Sequence, residues 1–186
     1  MKIAVITCYS DPDYVRARSL RAALKAIPKV KPIVVKNRRT GWMRYGEIIW
    51  KLRQVRRTHN PDVYLLTFRG QEILPFVLLA ARKKPVWFDE FVVPLAYAND
   101  ENGEPSFGRG FRQWLARRSF PYYKRWLQRC SAVFAGSSEQ AELSARISHM
   151  NLSAYRVIQT GDQEPSASEQ AAITRQLAAL VADAAS

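Results

Sequence analysis

The chain has 186 residues, enough for one domain that buries its own core without help from a disulfide or a metal. Its 29 Lys and Arg exceed its 16 Asp and Glu, a net charge of +13, and its two cysteines, Cys8 and Cys130, lie far apart with no metal-ligand spacing. These totals exclude a disulfide-framed scaffold and a structural zinc site, and they predict reduced thiols in a cytoplasmic protein with no metal and no cofactor of its own.

Short β-branched runs alternate with longer segments of helical period. This predicts a single Rossmann-like α/β domain with a mostly parallel sheet and helices on both faces. The opening run reads as a buried first strand, Ile3–Thr7, because its apolar stretch is too short for the core of a signal peptide. A helix over 13–26 follows, with Asp11 or Asp13 as cap and Val15, Leu20, Ala23, Leu24 and Ile27 as its inward stripe. Strand two, Val30–Lys36, gives way to a basic loop ending at Trp42 and a helix over 44–58. The turn Asn60-Pro61-Asp62 introduces strand three, Val63–Thr67. A helix over 71–82 then leads to a short apolar strand, Pro85–Phe88, of the kind buried at a sheet centre.

From Asp89 to Gly110 the rhythm breaks, and a loop of this length in a compact domain usually has a function. A basic, aromatic helical segment follows over Phe111–Arg129, with Pro121 as its break point. Strand five at Ala132–Ala135, a helix capped by Ser137 or Ser138, and strand six at Tyr155–Ile158 complete a domain over residues 1–162. Residues 163–186 form an Ala-rich tail in which Ser166 and Glu169 make a capping box. Its stripe of Ile173, Leu177, Leu180 and Val181 predicts an appended helix, docked on the domain or on a partner, or else a linker. The longest nearly apolar run, Ile73–Ala81, falls well short of the ~20 residues that span a bilayer, so the protein is expected to be soluble or peripheral.

The charge is unevenly spread. Residues 1–60 hold fifteen Lys and Arg against only Asp11, Asp13 and Glu47, whereas residues 131–186 are net acidic. Such asymmetry points to a polyanionic partner: an anionic membrane surface, a phosphorylated substrate or nucleic acid. On the helix over 44–58, Tyr45, Ile48, Ile49, Leu52 and Val55 share an apolar face, while Arg44, Lys51, Arg53, Arg56 and Arg57 fill the remainder and Trp50 falls off the stripe. With Arg38, Arg39 and Trp42 of the preceding loop, these residues are the candidates for membrane or anion binding. A crossover helix packed on the sheet accounts for the apolar face but not for the density of arginine.

In an open parallel sheet, ligands bind beyond the carboxyl ends of the strands. No glycine precedes Gly41, so no dinucleotide turn follows strand one, and no phosphate-loop or nucleophile-elbow motif is present. The candidates after the strands are Tyr9 and Ser10, then Arg69 and Glu72 around Gly70, then the adjacent acids Asp89 and Glu90. Arg69 at a helix start suits an anion, and paired carboxylates suit sugar hydroxyls or base chemistry. Ordinary capping and ion pairing explain the same residues equally well.

The ordered pieces Asp11–Leu24, Pro61–Leu66, Lys84–Phe91, Ser131–Glu139 and Tyr155–Asp162 together resemble the N-terminal domain of family 4 retaining glycosyltransferases of the GT-B type. In that family two Rossmann-like domains face each other. The C-terminal one binds the nucleotide-sugar, and the N-terminal one binds the acceptor and often touches the membrane. The resemblance implies that Tyr9, Ser10, Arg69, Glu72, Asp89 and Glu90 line an acceptor site. It also implies transfer of a hexosyl group to a lipid-linked or polysaccharide acceptor, the chain being a subunit completed by a separately encoded donor-binding domain, a degenerate copy, or a fragment. Two departures stand out. Phe88-Asp89 replaces the His-Asp pair of many relatives, and no two glutamates have the seven-residue separation of the donor half. The expectation is therefore a half-enzyme with little transferase activity by itself; a non-catalytic basic module for membrane or nucleic acid is the alternative.

Overall fold

A computed structural model describes residues 1–9, 11–67, 70–90, 121–159 and 164–185. Strands β1 (Lys2–Thr7), β2 (Lys31–Lys36), β3 (Val63–Leu66), β4 (Val86–Asp89), β5 (Ala132–Ala135) and β6 (Tyr155–Val157) form one sheet, ordered β2-β1-β3-β4-β5-β6, with every pair parallel. A parallel sheet requires a crossover between neighbours, and the helices supply it. They are α1 (Val15–Ala26), α2 (Met43–Thr58), α3 (Leu74–Ala81) after a 3-10 turn at Gln71–Ile73, α4 (121–127), α5 (Ser138–Ser148) and α6 (Ala167–Asp183). The domain is a single Rossmann-like α/β unit with an all-parallel six-stranded sheet and an appended C-terminal helix, as the alternation of runs predicts.

Strand side chains alternate between the two faces, so the core divides in two. Ala4, Ile6, Tyr64, Leu66, Phe88 and Val133 pack beneath α2, α3, α4 and α5. Ile3, Val5, Leu65, Trp87 and Phe134 pack beneath α1 and α6. The chain moves one way from β1 to β2 and then returns past β1 to β3. Strand order therefore reverses between β1 and β3, where an open α/β sheet leaves a crevice at its carboxyl edge.

Several boundaries differ from expectation for identifiable reasons. Helix α1 begins at Val15, and its N-cap, Tyr14, makes no side-chain cap bond. Asp11 instead accepts from the Asp13 amide, and Asp13 is held between Arg21 at 2.6 Å and Lys36 at 2.5 Å. The inward stripe of α1 contains Leu20, Ala23 and Leu24 as expected, but Arg16 rather than Val15 occupies its first buried position. The helix over 71–82 divides because Pro75 stands at the start of α3, where a missing N–H is tolerated. The aperiodic stretch after Glu90, the segment over 111–120 and the Gly161-Asp162 pair lie outside the described residues.

Ser166 and Glu169 close both bonds of the capping box at the start of α6. Ile173, Leu177 and Leu180 are buried, and Gln170 donates to the carbonyl of Ser19 on α1 at 3.0 Å. Truncation of Leu177 is expected to cost about 2–5 kcal/mol, as for other buried leucines. A urea melt of Leu177→Ala reads this loss, and early proteolysis within 164–185 shows whether α6 detaches first.

Candidate functional site

The carboxyl edge is joined across the strand reversal by two buried threonines. Thr67 donates through Oγ1 to the Ile6 carbonyl and to Thr7 Oγ1, each at 3.1 Å, so the ends of β1 and β3 cannot separate. Asn37, just past β2, accepts from the Tyr9 amide at 3.1 Å and donates to the Tyr9 and Arg39 carbonyls at 2.9 Å each. This fixes the loop after β1 against the loop after β2. Tyr9 is half-buried, and its ring meets Tyr14 edge-on at 5.7 Å. Gly70 packs so closely on Leu66 that a Cβ there would sit 2.5 Å from Leu66 Cδ1. Its small size sets the backbone leading to Glu72, which is exposed at the rim.

Asp89 and Glu90 form the floor, each held by a different set of groups. Asp89, the last residue of β4, is fully buried beside Arg16. Arg16 Nε donates to both carboxylate oxygens at 2.9 Å and Nη2 to Oδ1 at 2.7 Å, while Nη1 reaches the Ile158 carbonyl at 2.7 Å. This fork-to-fork geometry makes the burial of two charges tolerable. Glu90 accepts from Tyr123 Oη of α4 at 2.5 Å and from Ser144 Oγ of α5, and Tyr155 continues the chain to Ser144 and Ser148. Burial raises its pKa to about 7, against the opposing pull of the Ser144 and Tyr123 hydrogen bonds. Burial likewise pushes the Cys8 thiol up to about 11, so this cysteine at the end of β1 is a poor nucleophile.

The basic candidates separate into three groups. Arg38 and Arg39 are exposed, but their amides point at Glu47, donating at 2.8–3.1 Å. Lys51 donates to Glu47 Oε1 at 2.6 Å and to the Lys36 carbonyl at 2.7 Å, so its charge holds the loop onto α2. Burial opposes ionisation of Glu47, but the Lys51 ammonium and the two amides outweigh it and lower its pKa to about 2. Arg44 leaves the outer face of α2 for the mouth of the crevice, where it stacks 4.8 Å from the Tyr45 ring and influences Cys8 electrostatically. Its Nε is buried without a hydrogen-bond partner. Arg53, Arg56 and Arg57 lie further along α2 beside α3, while Trp42 and Trp50 are exposed at 81% and 62%.

Of the expected acceptor residues, Tyr9 and Glu72 thus reach the mouth, Asp89 and Glu90 lie beneath it, and Ser10 and Arg69 are outside the described residues. Arg16 was missed, yet it was detectable: it is the one charge on the i, i+4 stripe that continues through Leu20 and Leu24. Ser144 and Ser148 sit likewise among the buried alanines of α5. Among the described residues no group of three or more His, Cys, Asp or Glu could hold a metal ion, and no helix is long and apolar enough to cross a membrane.

No protein-family model and no curated protein matches the chain. Solved structures do. A UDP-N-acetylglucosamine 2-epimerase from Rickettsia bellii superposes with a TM-score of 0.56 at 10% identity, over 97% of this chain and 48% of that one. A UDP-GlcNAc 2-epimerase from Methanocaldococcus jannaschii gives 0.53 at 15% identity, over 85% and 45%. The fold is therefore shared with part of each of these proteins, and the chain spans about half the length of each.

Two measurements probe the floor. Because the pKa of Glu90 is higher in the folded protein than its ordinary 4.5, its contribution to stability is complete below about pH 4.5 and is lost as pH rises through about 7. Glu90→Gln removes that dependence, so the fall in the chemical midpoint between pH 5 and 8 is expected to flatten relative to the parent. Asp89→Ala strands a buried guanidinium and is expected to cost about 3–5 kcal/mol at neutral pH by urea titration.

Proposed function

We propose that this chain is the acceptor-side half of a GT-B-type enzyme acting with nucleotide-sugars, and specifically of a retaining glycosyltransferase. In the complete enzyme a hexosyl group passes from a nucleotide-sugar to a lipid-linked or polysaccharide acceptor. The observation that carries the reading is the crevice at the strand reversal between β1 and β3, built by the same segments that resemble the family 4 N-terminal domain. The fold shared with half of two nucleotide-sugar epimerases supports the nucleotide-sugar part of it.

In this reading the rim, with Tyr9, Glu72 and Arg44, meets the acceptor. Glu72 accepts hydrogen bonds from sugar hydroxyls, and Arg44 supplies a cation for an acidic group. Ser10 and Arg69, adjacent in sequence to this rim, are assigned to the acceptor as well. Asp89 and Glu90 support the rim from below. The nucleotide-sugar comes from a facing donor-binding domain, and the pair works in the cytoplasm at an anionic membrane face. The basic residues of α2 support that location.

The test is a titration of the isotope-labelled chain followed by amide NMR. A water-soluble short-chain isoprenyl pyrophosphate saccharide is expected to shift the amides of Cys8, Tyr9, Thr67 and Gly70, while a UDP-sugar shifts none of them below millimolar concentration. Tight UDP-sugar binding at this edge, or epimerised sugar released from UDP-GlcNAc by the chain alone, overturns the acceptor-side reading in favour of an epimerase. Binding of single-stranded DNA with no response to the saccharide favours the non-catalytic basic module.

A further inference from the structure

Helix α3 is apolar at every position, Leu-Pro-Phe-Val-Leu-Leu-Ala-Ala, yet only its inner side is covered. Leu74, Val77, Leu78 and Ala81 are buried, whereas Leu79 is 70% and Phe76 43% exposed. A helix apolar all round normally lies inside a protein or a membrane, so the outward side of α3 lacks a cover. Beside it runs α2, and a groove of about 390 Å³ separates them, lined by Arg53, Arg56 and Arg57 from α2 and by Phe76, Leu79 and Arg82 from α3. Among the described residues none of these four arginines has a carboxylate partner, and no acid lines the groove. Trp50 stands one turn before Arg53 and two before Arg57, extending the same outer surface of α2 with an indole.

We infer that the α2–α3 groove is the face by which this protein docks on an anionic phospholipid bilayer, deepening the membrane part of the reading above. Leu79 and Phe76 enter the acyl boundary, Trp50 lies at headgroup level, and Arg53, Arg56, Arg57 and Arg82 meet lipid phosphates. The chemistry chooses this occupant over nucleic acid. A strand of nucleic acid would stack on the rings of Trp50 and Phe76 but leave Leu79, the most exposed side chain of α3, in water, whereas a bilayer covers all three. The combination of exposed apolar tips with a cationic rim is that of an interfacial helix surface. The inference discards part of the sequence-based set. Lys51 is neutralised by Glu47 and Arg44 faces the crevice, whereas Phe76, Leu79 and Arg82 are added.

Flotation of the full chain with phosphatidylcholine vesicles, with and without a third of phosphatidylglycerol, tests it. The protein is expected to float with the anionic vesicles only. The triple variant Arg53→Gln, Arg56→Gln, Arg57→Gln is expected to lose about tenfold or more in partitioning. The variant Leu79→Ser is expected to bind normally in dilute salt but to be stripped several-fold more easily at high salt, because the apolar part resists screening. A charge-matched control, Lys25→Gln, Lys29→Gln, Lys31→Gln, removes three exposed cations remote from the groove and should stay within about twofold of the parent. Circular dichroism melts confirm that each variant is folded.

Absence of parent binding to anionic vesicles overturns the inference, as does an equal loss in the control, which would make the effect one of bulk charge. Tighter binding to single-stranded DNA than to anionic vesicles at equal salt, lost in the arginine variant, assigns the groove to nucleic acid and also overturns it. The saccharide titration is independent of these outcomes. Vesicle binding without saccharide shifts refutes the acceptor reading alone, and the reverse refutes the docking face alone.

Discussion

Arg16 and Asp89 form the contact on which the arrangement of the carboxyl edge depends, because they tie three distant parts of the chain together. The guanidinium comes from α1, the carboxylate from the end of β4, and the carbonyl of Ile158 from just beyond β6. Neither charge is exposed to water, so each exists only because the other is there. An arginine suits this role better than a lysine, since its planar fork serves both carboxylate oxygens and still has a nitrogen left for the third segment. Replacing the pair with apolar groups of the same volume would preserve burial but lose the direction the fork imposes. That direction sets where α1 begins relative to β4, and hence where the loop holding Tyr9 can lie.

Glu90, the next residue, has the opposite surroundings. Asp89 has a buried cation, whereas the groups that hydrogen-bond Glu90 are the hydroxyls of Tyr123 and Ser144. Strand geometry explains the difference, because adjacent residues point to opposite faces of the sheet. One carboxylate faces α1, where Arg16 stands, and the other faces α4 and α5, where the buried polar groups are hydroxyls. A pair of acids that looks equivalent in sequence is thus split into a permanent ion pair and a group whose charge is in balance near neutral pH.

Most of the fold was legible in the sequence because its signals are local. Strand β5 is found at the predicted residues, the Ser166–Glu169 box closes as written, and the stripe of α6 buries Ile173, Leu177 and Leu180. The site was less legible because its bonds are not local. Arg16 finds Asp89 across 73 residues, and nothing near either residue announces the other. Arg38 and Arg39 stand in the sequence as basic anion-binding candidates, and nothing there shows that Glu47, one turn into α2, takes both of their amides. Basic residues that look alike along α2 differ in what faces them: the i, i+4 spacing reports the Glu47–Lys51 pair, but not the turning of Arg44 toward Cys8.

The separation of charges on α2 follows from its position in the fold. A crossover helix has one end at the carboxyl edge of the sheet and the other at the amino edge. Residues of its first turns, Arg44 and Glu47, therefore belong to the crevice, whereas Arg53, Arg56 and Arg57 line the groove beside α3. Near the crevice each cation has an acid or a ring beside it: Lys51 has Glu47, and Arg44 has Tyr45. Beyond Leu52 the acids stop, and Arg53, Arg56 and Arg57 face Arg82 across a groove with an apolar wall. Like charges held together cost free energy in an isolated protein, and a surface that keeps them beside uncovered leucine and phenylalanine gains most when an anionic, apolar phase meets it. One helix can in this way serve both ends of a single task, holding the crevice open at its start and facing a bilayer along its final turns.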